Sequence, residues 1–151
     1  MTQPTQPVVI LMADDDADDR EMAQEAFAES RLRNDLRFVK DGIELLDYLF
    51  QRNDYAEAGV APRPGLILLD LNMPRMDGRQ ALDVIKAEPK LKSIPVIILT
   101  TSKAEADILL SYDLGANSFI TKPVRFQDLI KVVHSLTDYW LEIVSLPESK
   151  P

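Results

Sequence analysis

Residues 8–21 read VVILMADDDADDRE, a continuous apolar run that ends abruptly in acid. The first part, VVILM, is apolar without alternation, the pattern of a strand buried on both faces. The second part sets five aspartates, Asp14, Asp15, Asp16, Asp18 and Asp19, within six positions. Charge at that density repels itself unless something cationic absorbs it. A calcium loop of the EF-hand type would use Asp14, Asp16, Asp18 and Glu25 as ligands. Its turn position would then fall on Asp19, where glycine is needed, and a strand precedes it in place of a helix. The calcium loop is therefore set aside.

Further apolar runs follow: LRFV (36–39), LILLDL (66–71), PVIILTT (95–101) and NSFITK (117–122). Helical spacing separates them. Met22, Ala23, Ala26 and Phe27 form one stripe, and Ile43, Leu46, Leu49 and Phe50 a second. Ala81, Leu82 and Ile85 form a third, Ile108, Leu109 and Tyr112 a fourth, and a last helix starts near Phe126. Strands alternating with helices imply an α/β fold, a doubly wound parallel sheet of five strands covered by helices on both faces, in three αβα layers. Residues 8–146 read as one domain with an extended last helix. Residues 1–7 read as an extended or disordered N-terminus and 147–151 as a tail. The segment 51–65, QRNDYAEAGVAPRPG, is longer than most connections and reads as a surface loop rather than an ordered excursion.

Composition narrows the function. The chain has 151 residues, 46% hydrophobic and 28% charged, enough for an ordinary core. It has no cysteine, which removes disulfides, thiolate metal sites and cysteine nucleophiles, and fits a reducing cytoplasm. A net charge of -8 argues against nonspecific nucleic-acid binding. There is no signal-peptide pattern and no apolar run of membrane-spanning length, so a cytoplasmic protein with neither nucleic acid nor membrane as partner is expected.

In doubly wound sheets, ligands bind at the carboxyl ends of the strands. The polar residues ending these strands are Asp14 and Asp15, Asp70, Thr100 and Thr101, and Lys122. Three carboxylates, a hydroxyl and an ammonium would thus share one edge. A hard-oxygen set without His or Cys favours Mg²⁺, with Mn²⁺ possible, over zinc. A carboxylate beside such a cation can act as a nucleophile toward phosphorus, with Lys122 and Thr100 stabilising charge on the phosphoryl oxygens.

Four pieces in order, MADDD, LLDLNMPRMDG, IPVIILTTS and FITKP, resemble the receiver domain of two-component response regulators, from residue 8 to about 135. The resemblance implies a flavodoxin-like sheet of order 2-1-3-4-5. It implies that Asp70 is the phosphoacceptor and Asp15 the main metal ligand, with Asp14 acting through a metal-bound water. Asn72 would contribute its backbone carbonyl to the metal. Thr100 would donate its hydroxyl to the phosphoryl group and Lys122 would pair with it. Asn72 and Ser102 would tune hydrolysis, and the Lys122–Pro123 bond would be cis, as in most relatives. The conformational switch would pair Thr100 with Phe119, which lacks the hydroxyl of a tyrosine. Ser102 and Glu105 also fit a capping box. Asp16, Asp18 and Asp19 are expected to be structural, opening the next helix at its positive end.

The last helix outruns the domain. Leu129, Val133, Trp140 and Val144 form the stripe expected to face the sheet, and Val132, Leu136, Tyr139 and Ile143 a second seam expected to form a homodimer. The tail DYWLEIVSLP and the stretch YAEAGVAPRPGLILLDLNMP are similar to the response regulators that serve bacterial and cyanobacterial phytochromes. That implies a light-regulated histidine kinase as donor. His134, the single histidine, reads as a surface helix residue, and RLRNDLR (31–37) as a solvated charge cluster. Too few residues follow position 146 for an output domain, so a stand-alone signalling module is expected.

Two other functions compete. An aspartate-nucleophile phosphatase of the haloacid dehalogenase type needs D-x-D-x-[TV] after the first strand, and Asp14 to Asp18 lack the Thr or Val. A phosphorylation-independent dimeric scaffold would have no need of the intact Asp70, Thr100 and Lys122 set.

Overall fold

In the computed structural model, the described residues are 7–29, 33–101, 118–122, 125 and 127–131. The stripe at Ile108, Leu109 and Tyr112, the Ser102–Glu105 cap, Pro123, Phe126, His134 and both seams of the tail from Val132 to Val144 lie outside them. The elements run β1 (Val8–Ala13), α1 (Ala17–Glu29), β2 (Asn34–Val39), α2 (Gly42–Leu49), β3 (Leu66–Asp70), α3 (Gly78–Ala87), β4 (Val96–Thr100) and β5 (Ser118–Thr121). All strand pairs are parallel and the order is β2-β1-β3-β4-β5, as the resemblance implied.

Each strand buries alternate residues on opposite faces. Leu11, Ile67, Leu69 and Ile98 pack with Leu45, Leu46, Leu82 and Ile85 of α2 and α3. Ile10, Met12, Leu68 and Leu99 pack with Ala23, Ala26 and Phe27 of α1 and with Leu129, in the helical residues 127–131. Every residue of β3 and β4 is buried, which explains their unbroken apolar sequence. On α2 the buried face is centred on Leu45, Leu46 and Tyr48; Ile43, Leu49 and Phe50 of the expected stripe are half-buried.

The segment 51–65 departs from the expected loop. It forms a 3-10 turn (Asn53–Tyr55) and folds back onto α2. The Tyr48 hydroxyl donates to the Pro62 carbonyl (2.8 Å), Gln51 Nε2 to the Ala61 carbonyl (3.0 Å) and the Tyr55 hydroxyl to Glu44 (2.6 Å). Ala61 is buried in the core beneath α2. These anchors make it an ordered excursion. Arg37, from the expected solvated cluster, pairs with Asp35 and donates to the Val60 carbonyl of this excursion.

Two glycines allow the backbone to close around the end of β3. A Cβ on Gly78 would lie 2.3 Å from the Asp70 carbonyl oxygen and 2.8 Å from Leu71 Cα. One on Gly42 would lie 2.4 Å from the Met76 carbonyl oxygen, which accepts the Gly42 N–H at 2.9 Å. Between them, Arg75 adopts a left-handed conformation (φ 65°) and grips Asp41 with Nε and Nη2 at 2.8 and 3.0 Å. Asp41 also caps α2 through the Glu44 N–H, and Asp77 with Gln80 forms a capping box on α3. Gly78→Ala is expected to lower unfolding stability by about 1–3 kcal/mol, the usual cost of overpacking, read as a fall in the urea midpoint. An unchanged midpoint would contradict the close contact.

Candidate functional site at the carboxyl edge of the sheet

Because the strands are parallel, β1, β3, β4 and β5 end at one edge. Asp14 and Asp15 follow β1, Asp70 and Thr100 close β3 and β4, and Lys122 follows β5. Asp14, Asp70 and Thr100 are buried, whereas Asp15 and Asn72 are exposed. Backbone amides fix both buried carboxylates: Asp14 Oδ1 accepts from the Asp16 N–H (2.9 Å) and Asp70 Oδ1 from the Asn72 N–H (3.0 Å). The Lys122 N–H donates to the Thr100 carbonyl (2.7 Å), which seats the lysine at the site. Its ammonium lies 3.1 Å from Asp70 Oδ2, 3.3 Å from Asp14 Oδ2 and 2.8 Å from Asp19 Oδ2.

The last distance corrects the sequence reading. Asp16 does cap the start of α1, accepting the Asp18 N–H at 2.8 Å, and Asp18 is exposed. Asp19 does not belong with them, because its side chain turns into the site and ion-pairs with Lys122. One signal was present: Asp19 stands four residues after Asp15, and a helix that begins directly at the carboxyl edge presents its first turn to that edge.

Burial dominates the electrostatics. It pushes Asp14 up to about 7, helped by the charges of Asp70 and Asp19 and opposed by the Asp16 N–H and Lys122. Burial likewise raises Asp70, with Asp15 adding to it and the Asn72 N–H and Lys122 opposing. For Lys122, burial alone would favour the neutral amine, but Asp19, Asp14 and Asp70 together outweigh it and hold the ammonium charged. Oxygens of Asp14, Asp15 and Asp70 all lie within 4.8 Å of one another. Asp14 Oδ2 is buried and has no hydrogen-bond partner among the described residues. A hard divalent cation fits this set, since all donors are oxygens and, among the described residues, their negative charge exceeds that of the Lys122 ammonium.

The β4–β5 register pairs Ile98 with Phe119 and Thr100 with Thr121, which puts Thr100 and Phe119 on the same face of the sheet. Phe119 is half-buried and packs against the core beneath α2 and α3. Met73 is buried and Met76 half-buried in that core, in keeping with loop packing. Ser102 lies outside the described residues.

The sequence matches the family described as response regulator receiver domain over residues 10–134. The chain belongs to that family. It is 43% identical to Response regulator Rcp1 of Synechocystis sp. over 141 residues, spanning 93% of this chain and 94% of Rcp1. Among solved structures, the phosphorylated cyanobacterial phytochrome response regulator RcpA superposes with a TM-score of 0.74 at 43% identity, covering 90% of this chain and 95% of RcpA. The Mn(2+)-bound form of Rcp1 gives 0.74 at 42% identity, covering 91% and 96%. This receiver is therefore a two-component signalling protein, and the phosphatase alternative falls. No helix among its described residues is long and apolar enough to cross a membrane.

The buried carboxylates give the receiver a pH dependence. Burial pushes Asp14 up to about 7 in the folded protein from the ordinary 3.8, so between those values the folded state binds more protons than the unfolded chain. Stability without divalent cation therefore falls as pH rises from about 4 to about 7, by an amount on the order of a few kcal/mol. Urea unfolding in chelator at pH 5 and pH 8 checks this. Added Mg²⁺ is expected to stabilise more at pH 8, and equal midpoints under all conditions would contradict it.

Proposed function

We propose that this receiver accepts a phosphoryl group on Asp70 from a histidine kinase and signals through the resulting change in its surface. The observation that carries this reading is the 3.1 Å contact between Lys122 Nζ and Asp70 Oδ2, inside a cluster of oxygens suited to a divalent cation. The Asn72 N–H holds Oδ1 and so leaves Oδ2, beside the ammonium, to bond phosphorus as the bond from phosphorus to the donor nitrogen breaks. Lys122 offsets charge on the transferred oxygens, and the Thr100 hydroxyl donates to one of them. Asp15, Asp70 and the Asn72 carbonyl would hold Mg²⁺, or Mn²⁺, with Asp14 acting through water. When bound, the cation supplies neutralising charge to the phosphoryl oxygens. Asn72 and Ser102 tune hydrolysis, and Thr100 with Phe119 forms the switch. Support comes from the relatives, one solved phosphorylated and another with Mn(2+) bound.

The donor in this reading is a phytochrome kinase, as the phytochrome response regulator RcpA suggests, and the setting is the cytoplasm. The receiver pairs with a second copy through Val132, Leu136, Tyr139 and Ile143.

Acetyl phosphate with Mg²⁺ should add one phosphoryl group, seen as a hydroxylamine-labile mass gain, and Asp70→Asn should abolish it. Equal labelling of that variant would overturn the assignment. For the pairing, Tyr139→Asp with Ile143→Asp should convert a dimer to a monomer by light scattering, and an unchanged mass would sink the seam.

A further inference from the structure

We propose that Asp19, in the first turn of α1, is a positioning residue that holds the Lys122 ammonium and competes for it with an anion arriving at Asp70. The inference deepens the phosphoacceptor reading and rests on it. An ammonium has three N–H donors. Here three carboxylates surround it, and Asp19 is nearest, at 2.8 Å against 3.1 Å for Asp70 and 3.3 Å for Asp14. Asp19 Oδ2 is buried, and its ion pair with Lys122 is what offsets the burial of that oxygen. Asp19 also stands apart from the Asp14, Asp15 and Asp70 oxygens that converge for a cation. A cation drawing on those three would weaken their hold on Lys122 and leave Asp19 as its remaining anchor.

The consequence is a division of labour with a definite sign. The negative charge of Asp19 adds to the field that attracts a divalent cation. The same charge repels a phosphoryl oxygen and occupies the lysine that oxygen needs. Asp19→Asn keeps an acceptor oxygen in place and removes only the charge. A unit charge at about 6 Å is worth roughly 0.7 kcal/mol at the dielectric of water and more in a half-buried site, so shifts of about threefold or more are expected.

The test is a pair of binding constants on the full chain. Mg²⁺ is titrated by calorimetry, and beryllofluoride is titrated at saturating Mg²⁺ by fluorine NMR. Asp19→Asn is expected to weaken Mg²⁺ and tighten beryllofluoride, each by about threefold or more, while Asp18→Asn moves neither. Asp19→Ser, which keeps a helix-start acceptor without charge, should repeat both shifts and stands in if the first variant unfolds. A residue serving only to start α1 would weaken both ligands together. That outcome, or two unchanged constants, overturns the proposal while leaving Asp70 as acceptor. A parent protein that takes no beryllofluoride overturns the acceptor reading itself, and this inference with it.

Discussion

Among the described residues, one ammonium stands against four carboxylates at the edge of this sheet, and the site depends on that imbalance. Asp14 and Asp70 are buried, where an unpaired carboxylate costs several kcal/mol. Their burial is tolerable because each accepts a backbone N–H and each lies within ion-pair distance of Lys122. Lys122 in turn is delivered by β5, whose last link to β4 is the 2.7 Å bond from the Lys122 N–H to the Thr100 carbonyl. The outermost strand on that side therefore completes the charge balance of two strands with which it does not pair. The charge excess that remains is what makes the edge a receptor for a divalent cation.

The turn that follows Asp70 is braced from two directions. Gly78 brings α3 against the end of β3, and its N–H donates to the Leu71 carbonyl at 3.0 Å. Arg75 and Met76 tie the same turn to the start of α2 through Asp41 and Gly42. Burial alone would raise Asp41, but the Arg75 guanidinium and the Glu44 N–H outweigh it and hold the carboxyl below its ordinary range. Asn72, whose amide fixes the Asp70 carboxylate, thus sits in a turn whose far side is welded to a helix. The turn after Asp70 is thereby coupled to both α2 and α3.

Much of this was legible in the residues. The unbroken apolar runs identified the buried strands, and their terminal acids and lysine marked the edge where Asp14, Asp15, Asp70, Thr100 and Lys122 meet. Three readings were incomplete for physical reasons. Periodicity gave α2 the stripe Ile43, Leu46, Leu49 and Phe50, of which Leu46 is buried and Leu49 and Phe50 pack against the core; it missed Leu45 and Tyr48, which buries its ring while its hydroxyl reaches Pro62. The same hydroxyl helps pin 51–65, and side-chain bonds to a segment of mixed polarity leave no periodic trace. Asp19 was missed because an aspartate in a first helical turn already has a sufficient local explanation. Only the fold, which brings the first turn of α1 to the Lys122 ammonium after β5, gives it a second role.

The sheet also acts as a partition. Its strands send Leu11, Ile67 and Ile98 into one apolar compartment and Ile10, Leu68 and Ile97 into another, with no side chain shared between them among the described residues. A cavity opened under α3 has no direct route to the packing under α1, so losses from substitutions on opposite sides should sum. The two faces can then drift in sequence independently, one adapting to whatever α1 meets and the other to the 51–65 excursion. The carboxyl edge draws its residues from the ends of β1, β3 and β4, strands that line both compartments.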